Sequence, residues 1–88
     1  MTEREMRIVN PLGLHARPAA QLVKLASGFE SEIELVKDGM PVNGKSIMGV
    51  MMLAAESGSS LTVRARGSDE VEAVAALSEL IASGFGES

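Results

Sequence analysis

Hydrophobic residues alternate with polar ones in three stretches of the chain. Ile33 and Leu35 alternate with Glu32 and Glu34, and Leu61, Val63 and Ala65 alternate with Thr62, Arg64 and Arg66. A period of two turns one set of side chains inward and the other to water, so both stretches read as strands. Arg4 to Val9 reads the same way, with Met6 and Ile8 on one face, until Asn10-Pro11-Leu12-Gly13 breaks it with turn formers. Asp38-Gly39 is a hairpin signal, and Met40 to Val42 is a short returning strand in which Pro41, lacking an N–H, predicts a sheet edge.

The period changes elsewhere to that of a helix. Ala19, Leu22, Val23 and Ala26 fall at i, i+3, i+4 and i+7, opposite Arg17, Gln21 and Lys24, and Gly28 ends the segment. Ser46 reads as the N-cap of a short helix from Ile47 to about Ala55, followed by the loop "ESGSS". Asp69 with Glu72 three residues on resembles a capping box for a last helix, in which Val71, Val74, Leu77 and Ile81 follow one face and Gly84 stops the run. The order β-α-β-β-α-β-α predicts an α+β domain with helices on one face of a largely antiparallel sheet. A ferredoxin-like sandwich shares the first six elements, so element order alone leaves it open.

With 88 residues, the chain suits one small domain, residues 1–88, with a single core. Phe29 and Phe85 are its only aromatics, which leaves aliphatic side chains and six methionines to fill that core. There is no cysteine and one histidine, so neither disulfides nor a zinc site is expected, and no cofactor is called for. No stretch has the roughly 18 apolar residues of a membrane span and "MTEREMRIVN" is no signal segment, so a cytoplasmic protein without membrane insertion is expected. A net charge of -4 without a basic cluster or stacking aromatics speaks against nucleic acid as partner. A monomer is expected.

The lone histidine lies in "PLGLHARPAA", Pro11 to Ala20. With the first helix starting near Ala16, His15 is its N-cap, and Pro18 falls in the first turn, where a missing N–H costs no helical bond. Arg17 precedes proline and is biased away from helical angles, which puts the start within a residue or two of Ala16. The free N–H groups of Ala16 and Arg17, the positive helix end and the Arg17 guanidinium would then form an anion site beside an imidazole. Imidazole is nucleophilic near neutral pH, which suits a group that accepts a phosphoryl and holds it. An N-cap ring packed on the surface, or a pH-sensitive cap without chemistry, fits the same residues. No second carboxylate or serine is spaced to suggest a hydrolytic triad.

"NGKSIMGVMMLAA" encodes a helix apolar almost all round. Val50, Leu53 and Ala54 make one stripe, leaving some of Ile47, Met48, Met51 and Met52 as an adaptable surface for partners, unless the methionines simply fill the core. "GMPVNGKS", Gly39 to Ser46, has the spacing of a phosphate-binding P-loop. It would have to contain the strand Met40 to Val42 and rigid Pro41, no later strand ends in an acid for magnesium, and the chain is too short for a nucleotide domain.

"GLHARPAA" and "GKSIMGV" together, with their separation and the element order, resemble the HPr family, the histidine phosphocarriers of the bacterial phosphoenolpyruvate-dependent phosphotransferase system. The resemblance spans nearly the whole chain. It implies an open-faced β-sandwich, a four-stranded antiparallel sheet of order 1-4-2-3 with three helices on one face. It also implies that His15 is phosphorylated on Nδ1 by Enzyme I, with Ala16 and Arg17 binding the phosphate, and passes the group to a histidine of a sugar-specific or nitrogen-regulatory, IIA-type acceptor protein. Such a protein is a carrier in sugar transport, not an enzyme with turnover of its own. Ser46 matches the target of HPr kinase/phosphorylase, a link to a transcription regulator and carbon catabolite control. Ile47, Met48 and Met51, with Ala20, Gln21, Lys24 and Lys45, match the partner surface. Many relatives carry extra lysines there, whereas this chain has Ser27 and Gly49, so Arg17, Lys24 and Lys45 would supply the positive potential and steering would be weaker. A regulatory binding module acting through phospho-Ser46 without a transport role is the competing reading.

Overall fold

The computed structural model describes residues 1–87; Ser88, the last residue of the expected domain, lies outside them. The elements are β1 (Thr2–Arg7), α1 (Ala16–Ala26), β2 (Glu32–Lys37), β3 (Met40–Asn43), α2 (Ile47–Met52), β4 (Ser60–Arg66), α3 (Glu70–Ala82) and a short 3-10 turn, Gly84–Gly86. The strands form one antiparallel sheet of order β1-β4-β2-β3. This is the open-faced sandwich expected, and the strand order excludes the ferredoxin-like alternative, since β1 pairs with β4 alone.

Register explains which face is covered. Ala65 lies opposite Ile33 on one side and Thr2 on the other, and Val63 opposite Leu35 and Arg4. Ile33, Leu35, Leu61, Val63 and Ala65 are buried beneath Ala19, Leu22 and Ala26 of α1 and Ala73, Val74, Leu77 and Ile81 of α3. Each large aliphatic side chain so buried contributes about 1.5–3 kcal/mol of transfer free energy. The intervening residues face water, where Arg64 of β4 lies between Glu3 (3.0 Å) and Glu34 (3.4 Å) on its two neighbour strands. Pro41 sits on the edge strand β3, as its missing donor predicts.

Four expectations are corrected. β1 begins two residues earlier than Arg4 and ends at Arg7 rather than Val9, although Ile8 is fully buried and its N–H and carbonyl still bond to Ser59 (2.8 Å) and Gly58 (2.7 Å). α2 ends at Met52 rather than near Ala55, because Ala54 turns to φ 48° and leaves the helix, exposed rather than in the stripe with buried Val50 and Leu53. Val71 is 63% exposed and belongs to the outer face of α3, where Ala73 takes its place in the core. Asp69 makes no side-chain cap for α3. Its carboxylate accepts instead from the N–H groups of Glu30 and Ser31, both at 2.9 Å, and from the Ser31 hydroxyl. The acid thus ties the start of α3 to the connection between α1 and β2, and these donors, the Ser31 hydroxyl foremost, hold its carboxyl below the usual range.

Glu70 does the neighbouring job. Its carboxylate accepts from Thr2 Oγ1 at 2.6 Å and pairs with the chain's amino terminus at 3.0 Å, clamping β1 to α3. The Thr2 hydroxyl first, then the amino terminus and the Gly67 N–H, lower its carboxyl from 4.5 to about 2. A carboxyl depressed by folding stabilises the fold above its unfolded value and loses that contribution as pH falls through its folded one. Glu70→Gln is therefore expected to melt below the unsubstituted protein near neutral pH, and the gap to close as the pH is lowered from about 5 toward 2. Paired melting curves across that range check it; a gap independent of pH would show that charge is not the cause.

Candidate functional site

The turn between β1 and α1 is fixed before α1 begins. The Gly13 N–H donates to the Asn10 carbonyl (3.1 Å), the Leu14 N–H to the Ala55 carbonyl (2.9 Å) and the His15 N–H to the Gly13 carbonyl (2.9 Å). Gly13 has φ +69°, and a Cβ there would run onto the Ala55 carbonyl oxygen and come within 3.0 Å of Glu56 Cα, so only glycine fits against the exit of α2. Leu14 is buried and acts as the anchor.

His15 is the N-cap of α1, with extended backbone angles (φ -78°, ψ -173°), and its carbonyl accepts the first helical bond, from Ala19 at 3.0 Å. Its side chain caps nothing. Pro18, in the first turn, is buried. The N–H groups of Ala16 and Arg17 have no hydrogen-bond partner among the described residues, and no acid occupies the first turn. An anion brought to this end would meet free donors and the positive end of the helix dipole. A shallow depression of about 520 Å³ opens beside His15, lined by Leu12, Leu14, Ala54, Ala55 and Glu56 among others.

The imidazole has a partner that the sequence does not announce. Its Nε2 is 2.9 Å from Glu87 Oε2, contributed by the chain 72 residues further on. Glu87 Oε1 accepts from Asn10 Nδ2 at 2.9 Å, and the same amide donates to the Gly13 carbonyl at 2.8 Å. Asn10 is buried. The tail is held by Phe85, buried at φ 58° between Gly84 and Gly86, both also in the left-handed region. So a carboxylate does stand beside the histidine, against the expectation from spacing alone, but no serine completes a triad. Nδ1 has no hydrogen-bond partner among the described residues.

Arg17 is exposed and makes no hydrogen bond or ion pair among the described residues. Ala20 and Lys24 are exposed and Gln21 half-buried on α1, which packs on α2. Ser46 is the N-cap of α2, its Oγ accepting from the Gly49 N–H at 3.1 Å. Ile47, Met48, Met51 and Met52 are exposed, Met48 to 76% and Met52 to 68%, so these side chains do not fill the core. Lys45 Nζ donates to the Phe29 carbonyl at 2.7 Å, which ties this half-buried side chain to the connection between α1 and β2. Among the described residues no group of three or more His, Cys, Asp or Glu could hold a metal, and no helix is long and apolar enough to cross a membrane.

Comparison with known proteins places this geometry. The family model for the PTS HPr component phosphorylation site matches residues 2–83. The phosphocarrier protein HPr of Cupriavidus necator is 52% identical over 87 residues, covering 99% of this chain and 98% of the relative. The crystal structure of HPr-C-His from Thermoanaerobacter tengcongensis superposes with a TM-score of 0.97 at 50% identity, covering 100% of this chain and 99% of the other. A crystal structure of an HPr dimer from that organism aligns at a TM-score of 0.79 and 50% identity, over 99% of this chain and 100% of that one. With a matching family model over nearly its whole length and half its residues shared with such relatives, the chain belongs to the HPr family of phosphotransferase-system phosphocarriers.

Proposed function

We propose that this chain accepts a phosphoryl group on His15 Nδ1 from Enzyme I and passes it to a histidine of a sugar-specific or nitrogen-regulatory acceptor of the IIA type. The observation that carries the reading is an imidazole at a helix start with Nε2 engaged, Nδ1 unpartnered and two free backbone N–H groups next in sequence. In the transfer the Nδ1 lone pair attacks phosphorus, and the bond to the donor atom breaks with its electron pair leaving on that atom. The Ala16 and Arg17 N–H groups can then donate to the phosphoryl oxygens, and the exposed Arg17 guanidinium can swing to them as a charge-assisted contact. The protein is regenerated when the group moves on, so it works as a carrier in the cytoplasm without a cofactor.

Docking belongs to the neighbouring surface. Ile47, Met48 and Met51 give flexible apolar contact, and Ala20, Gln21 and Lys24 continue it toward His15. Lys45, held by the neutral Phe29 carbonyl, keeps its positive charge next to Ser46 and Ile47. On incubation with Enzyme I, phosphoenolpyruvate and magnesium, the protein is expected to gain one acid-labile phosphate and His15→Ala none. Intact-mass measurement at neutral pH checks this; phosphate on the alanine variant would remove the assignment.

Ser46 is the proposed regulatory site, the target of an HPr kinase/phosphorylase whose product a transcription regulator could read. A phosphate there adds roughly -1.5 to -2 charges. Aspartate also caps helices, so Ser46→Asp can keep the contact to the Gly49 N–H and place its charge at the positive helix end. The same charge sits next to Ile47 and Met48, where docking must strip water from apolar side chains. Ser46→Asp is expected to melt at or slightly above the temperature of the unsubstituted protein while its apparent affinity for Enzyme I falls. Melting curves with steady-state kinetics separate the two effects, and lost stability with unchanged affinity would make Ser46 a structural cap alone.

A further inference from the structure

Glu87 lies outside both sequence motifs and outside the segment the family model matches, residues 2–83, yet it makes the only side-chain hydrogen bond to the imidazole among the described residues. The contact is built. Asn10, buried beneath the turn, holds Glu87 Oε1 with one amide nitrogen that also donates to the Gly13 carbonyl. Phe85, buried, fixes the chain two residues before Glu87, and the Glu87 N–H donates to the Gly84 carbonyl at 2.9 Å. Oε2 is left facing Nε2.

We propose that Glu87 is a positioning residue for His15: by accepting a hydrogen bond from Nε2–H it holds the ring in the tautomer whose Nδ1 carries the lone pair, and it faces the positive charge the ring gains on phosphorylation. The inference rests on the phosphocarrier reading for its consequence in transfer, but the tautomer is a property of the resting protein. A carboxylate is an acceptor only, so a neutral His15 bonded to it must carry its proton on Nε2. When the Nδ1 pair forms the bond to phosphorus, the Nε2 proton stays in place and the ring becomes cationic while the donor atom takes the electron pair of the broken bond. The Glu87 carboxylate is then the counter-ion of that cation. Departure of the phosphoryl to the next acceptor returns the Nδ1 pair and the neutral ring.

A charge-assisted hydrogen bond of this kind contributes more than a neutral one. The side chains of His15 and Glu87 are 36% and 20% exposed, so solvent screens the pair in part. Loss of the carboxylate in Glu87→Ala is accordingly expected to slow phosphoryl acceptance by roughly tenfold, the low end of what one charged hydrogen bond supplies. Glu87→Gln keeps an acceptor oxygen without the charge and should fall between the two.

The test combines two readouts on the full chain. Nitrogen-15 NMR of the imidazole at a pH of about 8.5, where histidine is ordinarily neutral, should show the Nε2–H tautomer predominating in the unsubstituted protein and in Glu87→Gln, and a shift toward the mixture of free imidazole in Glu87→Ala. Rapid-quench transfer from phosphorylated Enzyme I then gives the rates, with melting curves confirming that the variants are folded. Unchanged tautomer populations in Glu87→Ala, or a rate equal to that of the unsubstituted protein, overturn the proposal. If the unsubstituted protein takes no phosphate at all, the phosphocarrier reading fails, and the tautomer measurement still decides whether Glu87 positions the ring.

Discussion

One face of the four-stranded sheet has to be covered, and α1 covers its share with Ala19, Leu22 and Ala26, which lose all contact with water. That requirement fixes the axis of α1, and with it the place where its free N–H groups emerge. The turn before the helix is then fastened from three sides, by Leu14 to Ala55, by Gly13 against the same carbonyl and by the Asn10 amide. His15 inherits a defined position from apolar burial and backbone hydrogen bonds, none of which involves its own side chain. The imidazole is thereby spared any capping duty, with Nε2 held by Glu87 and Nδ1 without a partner among the described residues.

The local electrostatics follow from what the first turn lacks. No acid and no side-chain cap occupies it, although capping would stabilise the helix by about 1 kcal/mol. A first turn without an acid leaves its N–H groups open to an anion, and the carboxylate at the imidazole, Glu87, faces Nε2. At α2 the same position is filled by Ser46, whose hydroxyl caps the helix beside exposed methionines. α1 and α2 pack on each other, so the two segments belong to one side of the molecule.

Much of this is written in local sequence. Alternation locates the strands, because each strand has one wet face, and Pro41 marks the edge. The helix start at His15 follows from turn residues and a proline that only the first turn accepts. The failures are also physical. Asp69 has the spacing of a capping residue, yet a stronger set of donors, Glu30, Ser31 and the Ser31 hydroxyl, lies across the fold and captures it. Val71 fits the helical period, but the buried stripe of α3 runs through Ala73, Val74, Leu77, Ser78 and Ile81, which turns Val71 to water. Glu87 could not be foreseen. Its contact to His15 spans 72 residues and depends on the left-handed turn around Phe85, a residue type that seldom adopts it.

The central claim is that the fold engages one nitrogen of the imidazole and leaves the other for the incoming phosphoryl. Phosphorus-31 NMR of the phosphorylated protein under native conditions reads the attachment site, since the two phosphohistidine isomers resonate at different shifts. A single resonance from the Nδ1 isomer is expected. Phosphate on Nε2, the nitrogen that Glu87 holds at 2.9 Å, would contradict it.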